Sequence, residues 1–339
     1  MMDKSFRGLL ERLEEFSKGC EDKCLDMQSL KFESKESEMR LYTDAVSYYF
    51  KTDPEKPKHP KVVHGTKQFC KIMGIPYSFF IKNPEYMRNQ IVSCWLPALK
   101  EEKAAVLAKL RKTAQQDKYI IRALLPVEFT NISNYEIMSS IANVIGDDFN
   151  MWYAIGDGRD DLLLNVRFVS KETFEVEGEV CTTGFSVTVS ELGAVPISVD
   201  TMLFRLASKS AMIGIYSGES YFETDYEGIQ PSLIKDMFPQ LVFYLKNQLY
   251  ELKEKVQSAK ELLQQKDDTK ELLRNIRLRR GLNEKFHNLL FQEVEENKVS
   301  NRWDFVTRIS ILAKEFDPVK RVNIEKLAGE LIGLIFEKI

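Results

Sequence analysis

Two clusters of basic side chains and one of carboxylates hold most of the chemistry this chain can offer. Arg274, Arg277, Arg279 and Arg280, joined by Lys285, form the denser basic group. Guanidinium groups meet phosphate oxygens in a fork, so such a cluster can track a nucleic-acid backbone. On one helix Arg277 and Arg280 are neighbours, with Arg279 off to one side. A solvated helix face paired with Glu271 or Glu284 would use the same residues. Lys56, Lys58 and Lys61, with Lys67 and Lys71, surround a proline-rich stretch and the helix after it.

Asp157, Asp160 and Asp161 in a glycine-containing turn, and Glu175, Glu177 and Glu179 along a strand, are hard oxygen ligands that could gather around a metal. No Asp…Glu-x-Lys pattern follows at strand spacing, and a solvated turn beside an exposed strand face explains the same residues. Cys20 and Cys24 would share a face on a helix, but no second ligand pair follows them. The histidines, His59, His64 and His287, do not make a His-Glu-x-x-His motif. Gly-x-Ser-x-Gly, Walker and dinucleotide fingerprints are missing too. No catalytic residue, metal or cofactor is therefore expected.

The whole chain bounds these readings. Its 339 residues, 44% of them hydrophobic, suffice for one large or two modest cores. A charged fraction of 29% is that of a globular chain. The net charge of −3 confines any nucleic-acid role to a local basic surface. Five cysteines at irregular spacing fit a reducing cytosol. There is no apolar leader and no run long enough to span a bilayer, so a soluble, cytoplasmic protein without a membrane partner is expected.

Several elements can be placed. Phe6, Leu9, Leu10, Leu13 and Phe16 predict a helix over residues 3–17. Residues 41–50 read as strand or short helix. Pro54, Pro57 and Pro60 mark a linker. Helices are predicted from Thr66 to Gly74, over 85–95, and over 99–114, where Ala, Leu and Lys are good helix formers. Residues 118–125 read as a buried strand, and Ser133-Asn134-Tyr135-Glu136 as a capping box opening a helix that ends at Gly146. Residues 149–155 and 162–169 form a predicted hairpin. Residues 174–181 alternate as one strand, paired with 185–189 through a turn at Thr182-Thr183-Gly184. Asp200 would cap a helix over 201–206, and 212–216 is a short strand. Beyond Pro231 the pattern is helical. Leu241, Leu245, Leu249, Leu252, Val256, Ala259 and Leu263 keep near-heptad spacing, suited to a partner helix or to packing within the chain. Tyr48-Tyr49-Phe50 and Tyr77, Phe79 and Phe80 could stack on unpaired bases or fill a core.

Gly74-Ile75-Pro76, Trp95-Leu96, Arg122-Ala123-Leu124-Leu125, Ser190-Glu191-Leu192-Gly193, Phe204-Arg205 and Trp303 at a helix start follow one another along the chain. In that order they resemble a family of uncharacterised phage/plasmid-like proteins. The resemblance spans roughly residues 60–315. Two stretches depart from it: Pro126-Val127-Glu128-Phe129 stands for Ser-Asp-Arg-Tyr, and Ala207-Ser208-Lys209-Ser210 for Cys-x-Asn-Gly. The resemblance implies a gene carried by phages, prophages or plasmids and brings no established activity.

The expected architecture is α+β: a mostly antiparallel central sheet flanked by helices, with a long C-terminal helical region. The expected divisions are 1–50 (N-terminal helical segment), 51–60 (linker), 61–230 (α+β core) and 231–339 (C-terminal helices). The expected function is a non-enzymatic, self-assembling protein of a mobile element that binds nucleic acid, single-stranded DNA first, in recombination or replication. The alternatives are a protein-interaction or assembly module and a metal-dependent nuclease.

Overall fold

The computed structural model describes residues 4–36, 38–50, 64–156, 162–176, 178–208, 211–227 and 302–333, with isolated positions between 230 and 292. Within them the chain is α+β, built on two sheets rather than the one expected.

Helix α1 (Lys4–Lys18) opens the chain, and Phe6, Leu9 and Leu13 are its buried stripe. Strands β1 (Cys20–Asp26), β2 (Lys31–Lys35), β3 (Glu38–Tyr42) and β4 (Ser47–Phe50) follow. The first 50 residues, expected as a helical segment, thus supply one helix and four strands. Helices α2 (His64–Ile72), α3 (Tyr77–Lys82), α4 (Glu85–Trp95) and the short α5 (Glu101–Ala104) come next. Strands β5 (Ala105–Lys112) and β6 (Lys118–Leu125) then complete a six-stranded sheet of order β1-β5-β6-β4-β3-β2. Its neighbours are antiparallel except β4 and β6, which run parallel. Phe69 of α2 anchors the helices on one face, its ring 5.1 Å from Phe50 and 5.7 Å from Phe32.

The helix predicted over 99–114 is helical only at α5, and Ala105–Lys112 is strand. β5 lies between β1 and β6, so both of its edges are hydrogen-bonded and both of its faces buried. A two-sided core strand has no polar face, and good helix formers then mislead. Lys109 is buried with its Nζ 2.8 Å from Asp22. Cys20 and Cys24 lie on β1, not on a helix.

Helix α6 (Asn134–Val144) begins in the predicted capping box: Ser133 Oγ accepts from Glu136 N at 3.1 Å, and Glu136 accepts from Ser133 N at 2.9 Å. The second sheet is an antiparallel meander of β7 (Phe149–Ile155), β8 (Leu164–Val176), β9 (Glu179–Val189), β10 (Ile197–Ser208) and β11 (Ala211–Thr224). Residues 174–181 are not one strand. The chain reverses beside Gly178, whose φ of 80° suits a glycine turn, and Phe174 pairs with Cys181 across the hairpin. Thr182-Thr183-Gly184, expected as the turn, lies inside β9. A Cβ on Gly184 would stand 2.0 Å from Phe168 O and 2.8 Å from the Phe204 ring, so glycine serves close packing there. Residues 201–206 are strand, not helix. Asp200 is no cap: it accepts from Ser198 Oγ and pairs with Lys326 at 3.0 Å.

One face of the meander packs on α6 and α1 through Phe168, Phe185 and Ile137. The other carries α7 (Arg302–Leu312) and α8 (Pro318–Gly333). No helix among the described residues is long and apolar enough to cross a membrane.

Candidate functional site

The eight basic residues singled out for nucleic acid, Arg274, Arg277, Arg279, Arg280, Lys285, Lys56, Lys58 and Lys61, lie outside the described residues, as do Asp157, Asp160, Asp161 and Glu177. Most of the heptad stretch 241–263 does too. Of the strand carboxylates, Glu175 is exposed. Glu179 is not a solvated side chain: it pairs with Arg205 and accepts the Trp303 indole N–H at 3.0 Å. Asp304 adds a second contact to Arg205 at 3.5 Å. Two stretches of the family resemblance, Phe204-Arg205 and Trp303, therefore meet through one carboxylate. Among the described residues no three His, Cys, Asp or Glu side chains are grouped to hold a metal.

A second convergence is built by Ser190-Glu191-Leu192-Gly193, the loop leaving β9. Ser190 N donates to Tyr226 Oη at 2.6 Å, and the Tyr226 ring stacks on Phe129 at 4.7 Å. Burial pushes the Tyr226 hydroxyl well above its ordinary range, so it stays protonated. Glu191 holds Arg122 at 2.6 Å and accepts Asn134 N at the start of α6 at 3.1 Å. A carboxylate there complements the positive end of the helix as well as the guanidinium. Leu192 O meets the His64 ring at 2.8 Å and accepts from Gln68 Nε2 at 3.2 Å. Gln68 Oε1 accepts from Leu124 N at 2.8 Å, tying the same loop to the end of β6. Gly193 has φ 64°, and a Cβ there would come within 3.0 Å of Leu125 and Phe129. Glu191 and Gly193 thus clamp the meander against β6, and Leu192 clamps it against α2.

Beside the clamp lies a cleft of about 590 Å³. Leu124 and Leu125, at the carboxyl end of β6, form part of its floor with Val106 and Phe129. Lys71 and Lys103 line it from α2 and α5. Glu128, Asp225 and Glu227 line it from the segments after β6 and β11. Pro126-Val127-Glu128-Phe129, one of the two departures from the resembled family, makes part of this lining.

A third feature is the face of the six-stranded sheet opposite α2–α4. Along β3 and β4 the core residues Met39, Leu41, Tyr48 and Phe50 alternate with half-buried Arg40, Tyr42, Ser47 and Tyr49. Cross-strand register puts Arg40 beside Tyr49 and Lys118 beside Ser47. The Arg40 guanidinium lies 4.8 Å from the Tyr42 ring centre and 5.9 Å from that of Tyr49, held by Glu33 at 2.6 Å. Lys118 Nζ is 5.7 Å from the Tyr49 ring. Of the tyrosine pair read as stacking or core, Tyr48 is core and Tyr49 reaches the open face. Arg40, Tyr42 and Lys118 were not singled out from the sequence. For Arg40 and Tyr42 the signal was the period-two alternation of residues 38–42, whereas only residues 41–50 were read, as strand or short helix.

Under α8 the meander face carries a polar cluster among apolar residues such as Met202, Phe204 and Val322. Arg167 is buried against Glu325, donates to Asn165 Oδ1 at 3.0 Å, and lies 5.8 Å from the Tyr216 ring centre. Arg321 of α8 also reaches Glu325, at 3.2 Å. Gly329 lets the helix approach Tyr216, where a Cβ would be 2.4 Å from the backbone oxygen. This cluster is closed to solvent and fastens α8 to the sheet. No protein-family model matches the chain, and no curated protein or solved structure matches it.

Proposed function

We propose that this chain is a non-enzymatic nucleic-acid-binding protein of a phage, plasmid or related mobile element, which takes single-stranded DNA and self-assembles in recombination or replication. The observation that carries the reading is the open sheet face where Tyr42 and Tyr49 flank Arg40 beside Lys118. Aromatic rings on a sheet stack on unpaired bases whatever their sequence. Arg40 is already held by Glu33, so it sets the rings rather than neutralising phosphate. Phosphate neutralisation falls to Lys118 and to the Arg274–Arg280 group. The resemblance to phage/plasmid-like proteins supports the biological setting, and the near-heptad spacing of Leu241, Leu245, Leu249, Leu252 and Val256 in the sequence supports assembly.

A titration of fluorescent oligo-dT at several salt concentrations tests this. Tyr49→Ala should weaken binding by about 1–3 kcal/mol with little change in salt slope. Arg277→Ala/Arg280→Ala should flatten that slope by removing phosphate contacts. Unchanged anisotropy at low salt refutes the reading. Magnesium or manganese in parallel reactions checks for cleavage, the signature of the nuclease alternative.

A second reading rests on a different observation. Phe79 (52% exposed), Tyr86 (70%) and Trp95 (51%), with Ile81 and Met87, present large apolar groups to solvent on α3 and α4. Such exposure favours a protein-interaction module. Light scattering with and without oligonucleotide separates the two: assembly that requires DNA supports the first, and assembly of the free protein through α3–α4 the second.

A further inference from the structure

We infer that the cleft beside the Ser190–Gly193 clamp is a nucleotide pocket, selective for bases that carry an amino group. Its volume of about 590 Å³ lies within the range of small-molecule sites. It opens beside the carboxyl end of β6, where Leu124 and Leu125 line it.

The walls carry complementary chemistry. Lys71 and Lys103, both exposed at the mouth, are point charges for a phosphate. Val106, Leu124 and Phe129 give an apolar floor for a flat base, with the Phe129–Tyr226 stack behind it. Glu128, Asp225 and Glu227 come from other segments than the lysines. A carboxylate only accepts hydrogen bonds, so it suits the exocyclic amine of guanine, cytosine or adenine, whereas uracil has no such amine and offers only its single ring N3–H. The clamp keeps this arrangement in place. Gln68 spends both ends of its amide on Leu124 and Leu192, and Gly193 lies flat against Leu125 and Phe129. The ligand is a free nucleotide or the terminal nucleotide of a strand, and the proposal does not depend on the open sheet face.

Calorimetric titration of the full chain with GMP, CMP, UMP and inorganic phosphate tests it. GMP and CMP should bind, and UMP at least about tenfold more weakly. Lys71→Ala/Lys103→Ala should lower GMP affinity about tenfold or more, with circular dichroism confirming the fold. Glu128→Gln/Glu227→Gln should narrow the gap between CMP and UMP. Equal binding of UMP and CMP overturns base selectivity, phosphate binding as tightly as GMP reduces the cleft to an anion site, and absence of heat with every nucleotide overturns the proposal. Oligo-dT binding with no nucleotide binding sinks this inference alone; the reverse sinks the sheet-face reading alone.

Discussion

Replacing Glu191 with alanine should be among the most damaging single changes in the described structure. Its carboxylate lies 2.6 Å from Arg122, with the side chains only 5% and 11% exposed, so water screens the pair little. Removing one partner of a buried pair costs about 3–5 kcal/mol, because the remaining charge stays desolvated. Glu191 also accepts the Asn134 N–H at the first turn of α6, which adds roughly 0.3–1 kcal/mol through the helix terminus. The total, about 4 kcal/mol, is a large share of the roughly 5–15 kcal/mol that holds a folded domain. Urea unfolding followed by circular dichroism reads it directly. With a slope of about 2–3 kcal/mol/M, the midpoint should fall by more than about 1 M at unchanged slope. Arg122→Met/Glu191→Leu should recover most of the loss, because no charge is left stranded. A midpoint for Glu191→Ala within about 0.3 M of wild type would refute the account of the clamp.

Three further outcomes are expected. Gly184→Ala should destabilise by about 2 kcal/mol or more in thermal melts, since its methyl group would meet Phe168 O and the Phe204 ring; a neutral change would mean β8 and β9 can separate there. Burial, reinforced by Lys67 and opposed by the Leu192 carbonyl, holds the His64 pKa below its ordinary 6.5. The unfolded chain therefore takes up a proton that the folded chain refuses, so a stability contribution present above about pH 6.5 is lost as pH falls through the folded pKa. His64→Gln should flatten that acid limb in urea titrations at several pH values, and an unaltered limb would exclude His64 as its source. Alkylation at pH 8 followed by mass spectrometry should modify exposed Cys24 and Cys94 first. Cys70, buried and pushed up to about 12, should react only on unfolding; early modification would show that α2 opens.

The elements legible in the sequence were those whose signal is local. The α1 stripe, the Ser133–Glu136 capping box and the β7–β8 pairing each depend on residues close together in the chain. β5 and β10 were hidden for a shared reason. Their propensities and capping signals pointed to helix, whereas strand neighbours on both edges decided the outcome. Gly184 could not be read as a packing residue until the Phe204 ring was known to cross it. The site divides similarly. Arg122 and Ser190-Glu191-Leu192-Gly193 were noticed as separate motifs, and only the tertiary structure brings Arg122 against Glu191. Tyr49 was noticed for its ring, but Arg40 and Lys118 become its neighbours through pairing with β3 and β6.

The strand order of the six-stranded sheet also sets a timetable for synthesis. β4 ends at Phe50, yet its parallel neighbour β6 is complete only when Leu125 has left the ribosome. Until then the three-stranded ribbon β2-β3-β4 carries an open edge at β4 and a bare apolar face. Nascent chains at that stage are the ones most exposed to mispairing. The meander beginning at Phe149 has no such wait, since each strand finds its neighbour in the next one made. Of the two sheets, the slower to assemble is therefore the one whose first strands emerge earliest.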